Sequence, residues 1–187
     1  MSTNIVETVV TYLRMEAPPR TLPPMPAGPK LALMKAETIP LHYYRYLYSA
    51  VGMNWLWFER LLQDDETLAA KVHKDGVEIY VLYANGAPAG YYELDFSNSQ
   101  RTNLVYFGLM PEWGGQKIGP WLLGSAISEG FSRKAAEMTV NTCTLDHPAA
   151  LPLYQRLGVK PVARDERRLR VPGNIHIPGH IAARIAP

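Results

Sequence analysis

The chain has 187 residues, 47% of them hydrophobic and 19% charged, with 19 Lys and Arg against 17 Asp and Glu. That is enough apolar material for one domain with a substantial core, and a net charge of +2 offers no field to gather nucleic acid or an anionic membrane. The single cysteine, Cys143, excludes a disulfide framework and any zinc site built from several thiolates. Met1 to Arg14 carries neither a signal-peptide core nor a spanning segment, so the expected location is the cytoplasm.

In chain order, Ile5 to Met15 is rich in β-branched residues and reads as a strand. The stretch APPRTLPPMPAGP after it cannot be regular, because proline fixes φ and withholds a donor, and it reads as a strap over the surface. Leu31 to Met34 gives a short strand that ends an N-terminal segment of strands and strap, residues 1–36. Tyr43, Tyr44, Leu47 and Tyr48 at helical spacing predict a helix over Ile39 to Ser49, and Asp64 and Asp65 stand as N-caps before a second one. From Val77 the period changes to two. Asn85-Gly86 supplies a tight turn, and Ala87 to Phe96 returns as the partner strand.

Thr102 to Met110 is a further strand, meeting Pro111 and the segment EWGGQKIG. The rows Ile118, Leu122, Ala126 and Leu123, Ile127, Phe131 predict a helix there, with Pro120 tolerable in its first turn. Glu137 to Leu145 is again a strand, so the strands at Thr102 and Glu137 are expected to be parallel across a βαβ crossover. Asp146 or His147 is then expected to cap a short helix to Leu157, its first turn weakened by Pro152, with Gly158 as terminator. Lys160 to Arg170 is the last strand, and the tail at 171–187 reads as irregular.

Gly114, Gly115 and Gly119 lie between a strand and a helix, where unpaired amides and the helix dipole favour a phosphate. There is no G-x-x-x-x-G-K-[ST] loop and no G-x-G-x-x-G in the dinucleotide setting. A metal is not expected, since Pro178-Gly179 breaks the helix that would let His176 and His180 ligate together.

The stretch FGLMPEWGGQKIGPWLL, followed after a strand by DHPAALPLYQRLGV, resembles motifs A and B of the Gcn5-related N-acetyltransferase (GNAT) family over roughly Val77 to Val162. Gly115 and Gly119 match motif A, while Gly114 stands for Arg or Gln and Lys117 for the central glycine. Ala150, Leu153, Tyr154 and Gly158 match motif B, with His147 in place of asparagine. The resemblance implies an α/β fold with a mixed, mostly antiparallel sheet of six or seven strands, helices on both faces and a splayed parallel pair. It implies acetyl-CoA as cosubstrate, held by a core at 77–162. Phe107, Gly108 and Leu109 would line the pantetheine arm, and Gly114, Gly115, Gln116, Lys117, Gly119 and His147 the rest of the cosubstrate.

By the same resemblance Tyr154 is the acid for the departing thiolate, a phenol of pKa about 10 facing a thiol of about 8.5. The glutamate that histone-type members use aligns with Asn103, which cannot take a proton at neutral pH. Glu93 and Asp95, two apart on one strand face, are the candidate bases. Cys143 reads as strand filling. The aromatic stretch HYYRYLYSAVGMNWLWF would wall the acceptor pocket, with Tyr46, Trp55 and Trp57 as candidate contacts for a cationic amine. The expected reaction is direct transfer to a primary amine, small or peptidic, by a monomer or homodimer. The alternatives are a noncatalytic acyl-CoA sensor on the same fold and a protein-interaction domain that binds no CoA.

Overall fold

The computed structural model describes residues 3–186. Among them seven strands form one sheet: β1 (Thr3–Met15), β2 (Leu31–Ala36), β3 (Val77–Ala84), β4 (Ala87–Asn98), β5 (Arg101–Leu109), β6 (Glu137–Cys143) and β7 (Lys160–Pro172). Their order is β2-β3-β4-β5-β6-β1-β7, and every pairing is antiparallel except β5 with β6. The helices are α1 (Leu41–Gly52), α2 (Asp65–Val72), α3 (Ile118–Gly130), α4 (Ala150–Arg156) and α5 (Gly179–Ala182). This is the mixed, mostly antiparallel sheet that the motifs imply.

Local chemistry accounts for the punctuation. Asn85 and Gly86 both take positive φ, 51° and 87°, as a two-residue hairpin turn requires. Asp64 caps α2 by accepting the Thr67 amide at 2.7 Å. The apolar rows of α3 bury Ile118, Leu122, Leu123, Ala126 and Ile127 against one face of the sheet, together with Leu153 and Tyr154 of α4. The other face is covered over β3 to β5 by α1 and α2, through Tyr44, Leu47, Tyr48, Val51, Leu68 and Val72. The Pro-rich strap crosses α3, where Leu22 and Pro23 sit on Gly124 so closely that a Cβ there would lie 3.1 Å from Pro23 Cδ.

Two expectations need correction. Neither Asp146 nor His147 caps α4, whose N-cap is Ala149 with no side-chain bond. Pro152 therefore falls in the first helical turn, where its missing N–H costs nothing. The tail is not irregular throughout: it folds into α5, bridges Ile185 to Val6, and buries Ile181 with Leu56, Phe58, Leu145 and Val171 in a third apolar cluster.

The parallel pairing of β5 with β6 joins only Arg101–Leu104 to Glu137–Val140. It stops where the register of β4 against β5 slips between Glu93↔Tyr106 and Leu94↔Leu104, leaving Val105 as an extra residue. Such a bulge bends the strand that carries it. β5 is also drawn toward α1, because a Cβ on Gly108 would lie 2.4 Å from Val51 Cγ1. Gly108→Ala should accordingly cost about 1–3 kcal/mol, with Val51→Ala in the same chain recovering part of the loss. Urea unfolding at an unchanged midpoint in the single variant would remove this account of the bend.

Candidate active site

Beyond Leu104 and Val140 the two central strands run on without pairing to each other, so a slot opens through the sheet. On the α3 side it is bounded by Phe107 and by Tyr154 of α4, whose rings lie 6.1 Å apart. Tyr154 is buried, and burial first, then the Asp146 carboxylate, push its phenol well above the ordinary range. Gly108 and Leu109 follow on β5, each paired to β4 on its other edge. Cys143, at the end of β6, is half-buried with its thiol raised by burial, as suits a filler.

The loop between β5 and α3 keeps the path of a glycine loop at a cost. Gly115 has φ 75°, and Lys117, the N-cap of α3, lies in the left-handed region at φ 61° and ψ 12°. That conformation is strained for a residue with a Cβ and free of strain for glycine. Gln116 donates its side-chain amide to the Glu112 carbonyl at 3.1 Å and so braces the loop. Gly119 opens the helix beside Leu109 and Leu153. The backbone amides at this helix start, with Lys117 among them, form a donor cluster suited to an anion.

On the α1 side Trp57 closes the far end of the slot. Its ring packs on Tyr48 and Tyr106 at 5.6 and 5.0 Å, and its indole N–H donates to Asp146 Oδ1 at 3.1 Å. Asp146 Oδ2 accepts the Thr142 hydroxyl at 2.8 Å and the Cys143 amide at 2.9 Å. This carboxylate therefore ties β6 to the loop after α1, a role that the sequence pattern, read as a helix cap, did not disclose. Trp55 stacks edge-on between His147 and His180, at 4.9 and 5.3 Å. His147 accepts the Ala149 amide on Nδ1 at 3.0 Å. Tyr46 lies apart from these, half exposed and stacked on Tyr43.

The two candidate bases share a face, as expected, but differ in state. Glu93 is 1% exposed. It receives Arg60 Nη2 at 2.9 Å on Oε1, and Arg60 Nη1 at 3.1 Å and the Tyr44 hydroxyl at 2.8 Å on Oε2. Burial raises its carboxyl, with Arg60 pulling the other way, and at that exposure neither oxygen is open to a substrate. Arg60, which sequence reading passed over, lies in a one-turn helix after the Trp57 loop and also covers the Tyr106 ring at 4.8 Å. Asp95 lies at the edge of an open groove of about 620 Å³ that Asn103, Thr139 and Asn141 also line. Burial works to raise Asp95, but the Ser97 hydrogen bond and Lys74 outweigh it and hold the carboxyl below its usual value.

The groove and the slot meet. Asp95, Asn103, Thr139 and Arg14 form one cross-strand row, and Thr139 donates to Asn103 Oδ1 at 3.1 Å, one residue before the pairing stops. A molecule on the α1 face can therefore approach the slot from the groove while another lies against β5 and the loop from the α3 face. Among the described residues no cluster of His, Cys, Asp and Glu fits a metal ion, and no helix is long and apolar enough to cross a membrane.

Two stability measurements follow from this geometry. Lys117→Gly should raise stability by about 1 kcal/mol by relieving the left-handed strain, whereas Lys117→Ala should not. Glu93→Gln should cost about 3–5 kcal/mol, since it strands a buried guanidinium. A Glu93→Gln chain as stable as the parent would instead make this carboxylate free for chemistry.

The model of the acetyltransferase (GNAT) family matches residues 43–159. No curated protein matches the chain. Among solved structures, a GCN5-related N-acetyltransferase from Kribbella flavida superposes with a TM-score of 0.58 at 18% identity, covering 97% of this chain and 63% of that one. One from Sphaerobacter thermophilus gives 0.59 at 21% identity, covering 90% and 53%. A tandem GNAT protein from the clavulanic acid biosynthesis pathway gives 0.56 at 16% identity, covering 89% and 54%. The chain thus spans between about half and two thirds of the length of these neighbours, and at such identities the likeness is one of fold.

Proposed function

We propose, for a chain that belongs to the acetyltransferase (GNAT) family, that it transfers the acetyl group of acetyl-CoA directly to an amine seated in the groove. The observation that carries this reading is the interrupted pairing of β5 with β6, which leaves main-chain groups in the middle of a sheet facing a slot instead of a neighbour. Unpaired backbone there calls for a partner, and an extended arm with amide groups is one. Acetyl-CoA fits the residues present. Phe107, Gly108 and Leu109 would offer it a free strand edge, and the amides from Gly115 to Gly119, with the Lys117 ammonium, would hold its pyrophosphate. Gly114 belongs to the same loop, whereas His147 packs on Trp55 at the acceptor side.

Bound there, acetyl-CoA supplies the activated acyl carbon. The neutral amine forms its C–N bond to that carbon, and the C–S bond breaks. A β5 amide of the Phe107–Leu109 edge stabilises the carbonyl oxygen as charge builds on it. The Tyr154 hydroxyl donates to the departing sulfur. Its raised pKa keeps it protonated beforehand, and makes complete transfer to a thiolate uphill. The proton lost by the amine, passed through water, completes the thiol. Asp95, on the groove side, relays that proton from the amine to the water chain and is left ionised as it began, while Glu93, sealed by Arg60, holds the wall. Trp55 and Trp57 frame the acceptor side, and Tyr46 is too far round α1 to take part. The protein would act outside any membrane span, in the cytoplasm, without a metal.

Calorimetric titration with acetyl-CoA tests the donor half, and thiol release across a panel of amines tests the rest. Tyr154→Phe should bind acetyl-CoA within about threefold of the parent while kcat falls about a hundredfold or more. Binding without turnover on any amine would instead favour an acyl-CoA sensor, and no binding would favour a protein-interaction domain.

A further inference from the structure

The charges of the groove are almost all committed. Asp95 accepts the Ser97 amide at 2.8 Å and lies 3.6 Å from Lys74. Arg14 bridges Glu16 at 3.1 Å and Glu137 at 3.6 Å. Tyr12 receives Arg167 on its hydroxyl at 2.7 Å. What remains is Arg101, the first residue of β5. It is exposed on the same face as Asn103, lines the groove, and has no ion pair or side-chain hydrogen bond among the described residues. Glu137, its neighbour across the parallel register, is the carboxylate taken by Arg14.

The groove therefore has two unlike ends on one sheet face. One end is the slot that begins beyond Leu104 and Val140. The other is a free guanidinium three residues earlier on β5, about 10 Å back along the strand. The lining carries Arg14 and Arg101 against Asp95 and Glu137 and so is neutral overall, but Arg14 and Asp95 are paired, with Glu16 and Glu137 and with Lys74 respectively, which leaves Arg101 as the lining cation without a partner among the described residues. A fixed planar donor fork of this kind matches a carboxylate in bidentate fashion. A polycationic acceptor would meet repulsion there.

We propose, on the basis of the acetyltransferase reading, that Arg101 determines acceptor specificity by holding the carboxylate of an amine-bearing acid, whose amino group then reaches the slot. The acceptor class is an amino acid in the broad sense, with amine and carboxylate separated along one chain. The free amide of Asn103 lies between the two ends, and Asn141 stands at the slot end, so both offer neutral hydrogen-bonding groups along the path.

δ-Aminovalerate and n-pentylamine share a chain length and an amine and differ in the carboxylate, so the pair isolates the contact. With CoA present, ligand-observed NMR titration of the full chain should show δ-aminovalerate binding at least tenfold more tightly than n-pentylamine. Arg101→Met should abolish that ratio and Arg101→Lys should keep part of it, while acetyl-CoA affinity stays unchanged in both. If turnover is measured, the loss should appear in KM and leave kcat within about twofold. Equal binding of the two amines by the parent chain, or a preference that survives in Arg101→Met, would overturn the assignment. An Arg101-dependent preference in a chain that fails to bind acetyl-CoA would support the groove and sink the acetyltransferase reading, so the two failures are separable.

Discussion

One extra residue in β5 organises this molecule. With Val105 bulged out of register, β5 leaves β6 after four paired residues and turns toward α1, where Gly108 admits Val51 at a distance no side chain would allow. Everything that handles a ligand is arranged about the resulting slot. The loop at the end of β5 is aimed by it, α4 brings Tyr154 against Phe107 beside it, and Trp57 spans its far end to Asp146. A fully paired sheet would satisfy these groups itself, whereas the half-buried residues from Val105 to Leu109 keep one backbone edge turned to the slot. The open edge is thus a set of donors and acceptors that a bound extended ligand would pair with in place of solvent.

The two faces of the slot are built from different materials. The α3 side is apolar and backbone-rich, with a buried phenol and glycine-lined amides, which suits a long neutral arm that ends in phosphates. The α1 side is polar and charge-bearing, and its ion pairs divide into one sealed in the core and several on the rim. The Arg60–Glu93–Tyr44 triad is the sealed one. Double hydrogen bonds fix its geometry, and it holds the aromatic wall of Tyr44 and Tyr106 in place. Solvent-exposed pairs such as Arg14 with Glu137 contribute little to stability, so they are free to be rearranged by a ligand.

Sequence alone discloses most of the elements and less of the site, for definite reasons. The Asn85-Gly86 hairpin, the apolar rows of α3 and the βαβ crossover are local signals, in which residues a few places apart decide the outcome. Lys117 is different: the side chain departs from the glycine pattern while the backbone keeps the glycine conformation, and only coordinates distinguish those cases. Glu93 and Asp95 look alike in a strand two residues apart, yet one meets Arg60 from an element 33 residues away and the other meets Ser97 and Lys74 at an open groove. The insertion of β1 between β6 and β7, the Asp146 bridge and the burial of the tail on Leu56 and Phe58 all depend on partners distant in the chain, for which periodicity carries no information.

That insertion bears on how the chain is made. Both neighbours of β1 are translated long after it: the Val9 amide finds its hydroxyl acceptor on Thr144, 135 residues later. At ordinary elongation rates the interval is on the order of ten seconds. Throughout it a thirteen-residue segment rich in valine and threonine waits with both edges unsatisfied, the state most open to pairing with the wrong chain. The Pro-rich strap gives that waiting strand a short, stiff tether, with Leu22 and Pro23 ready to settle on α3 once that helix exists. Since β7 pairs with β1 alone, the sheet cannot be completed until residues 160 to 172 have been made, however early its other strands are ready.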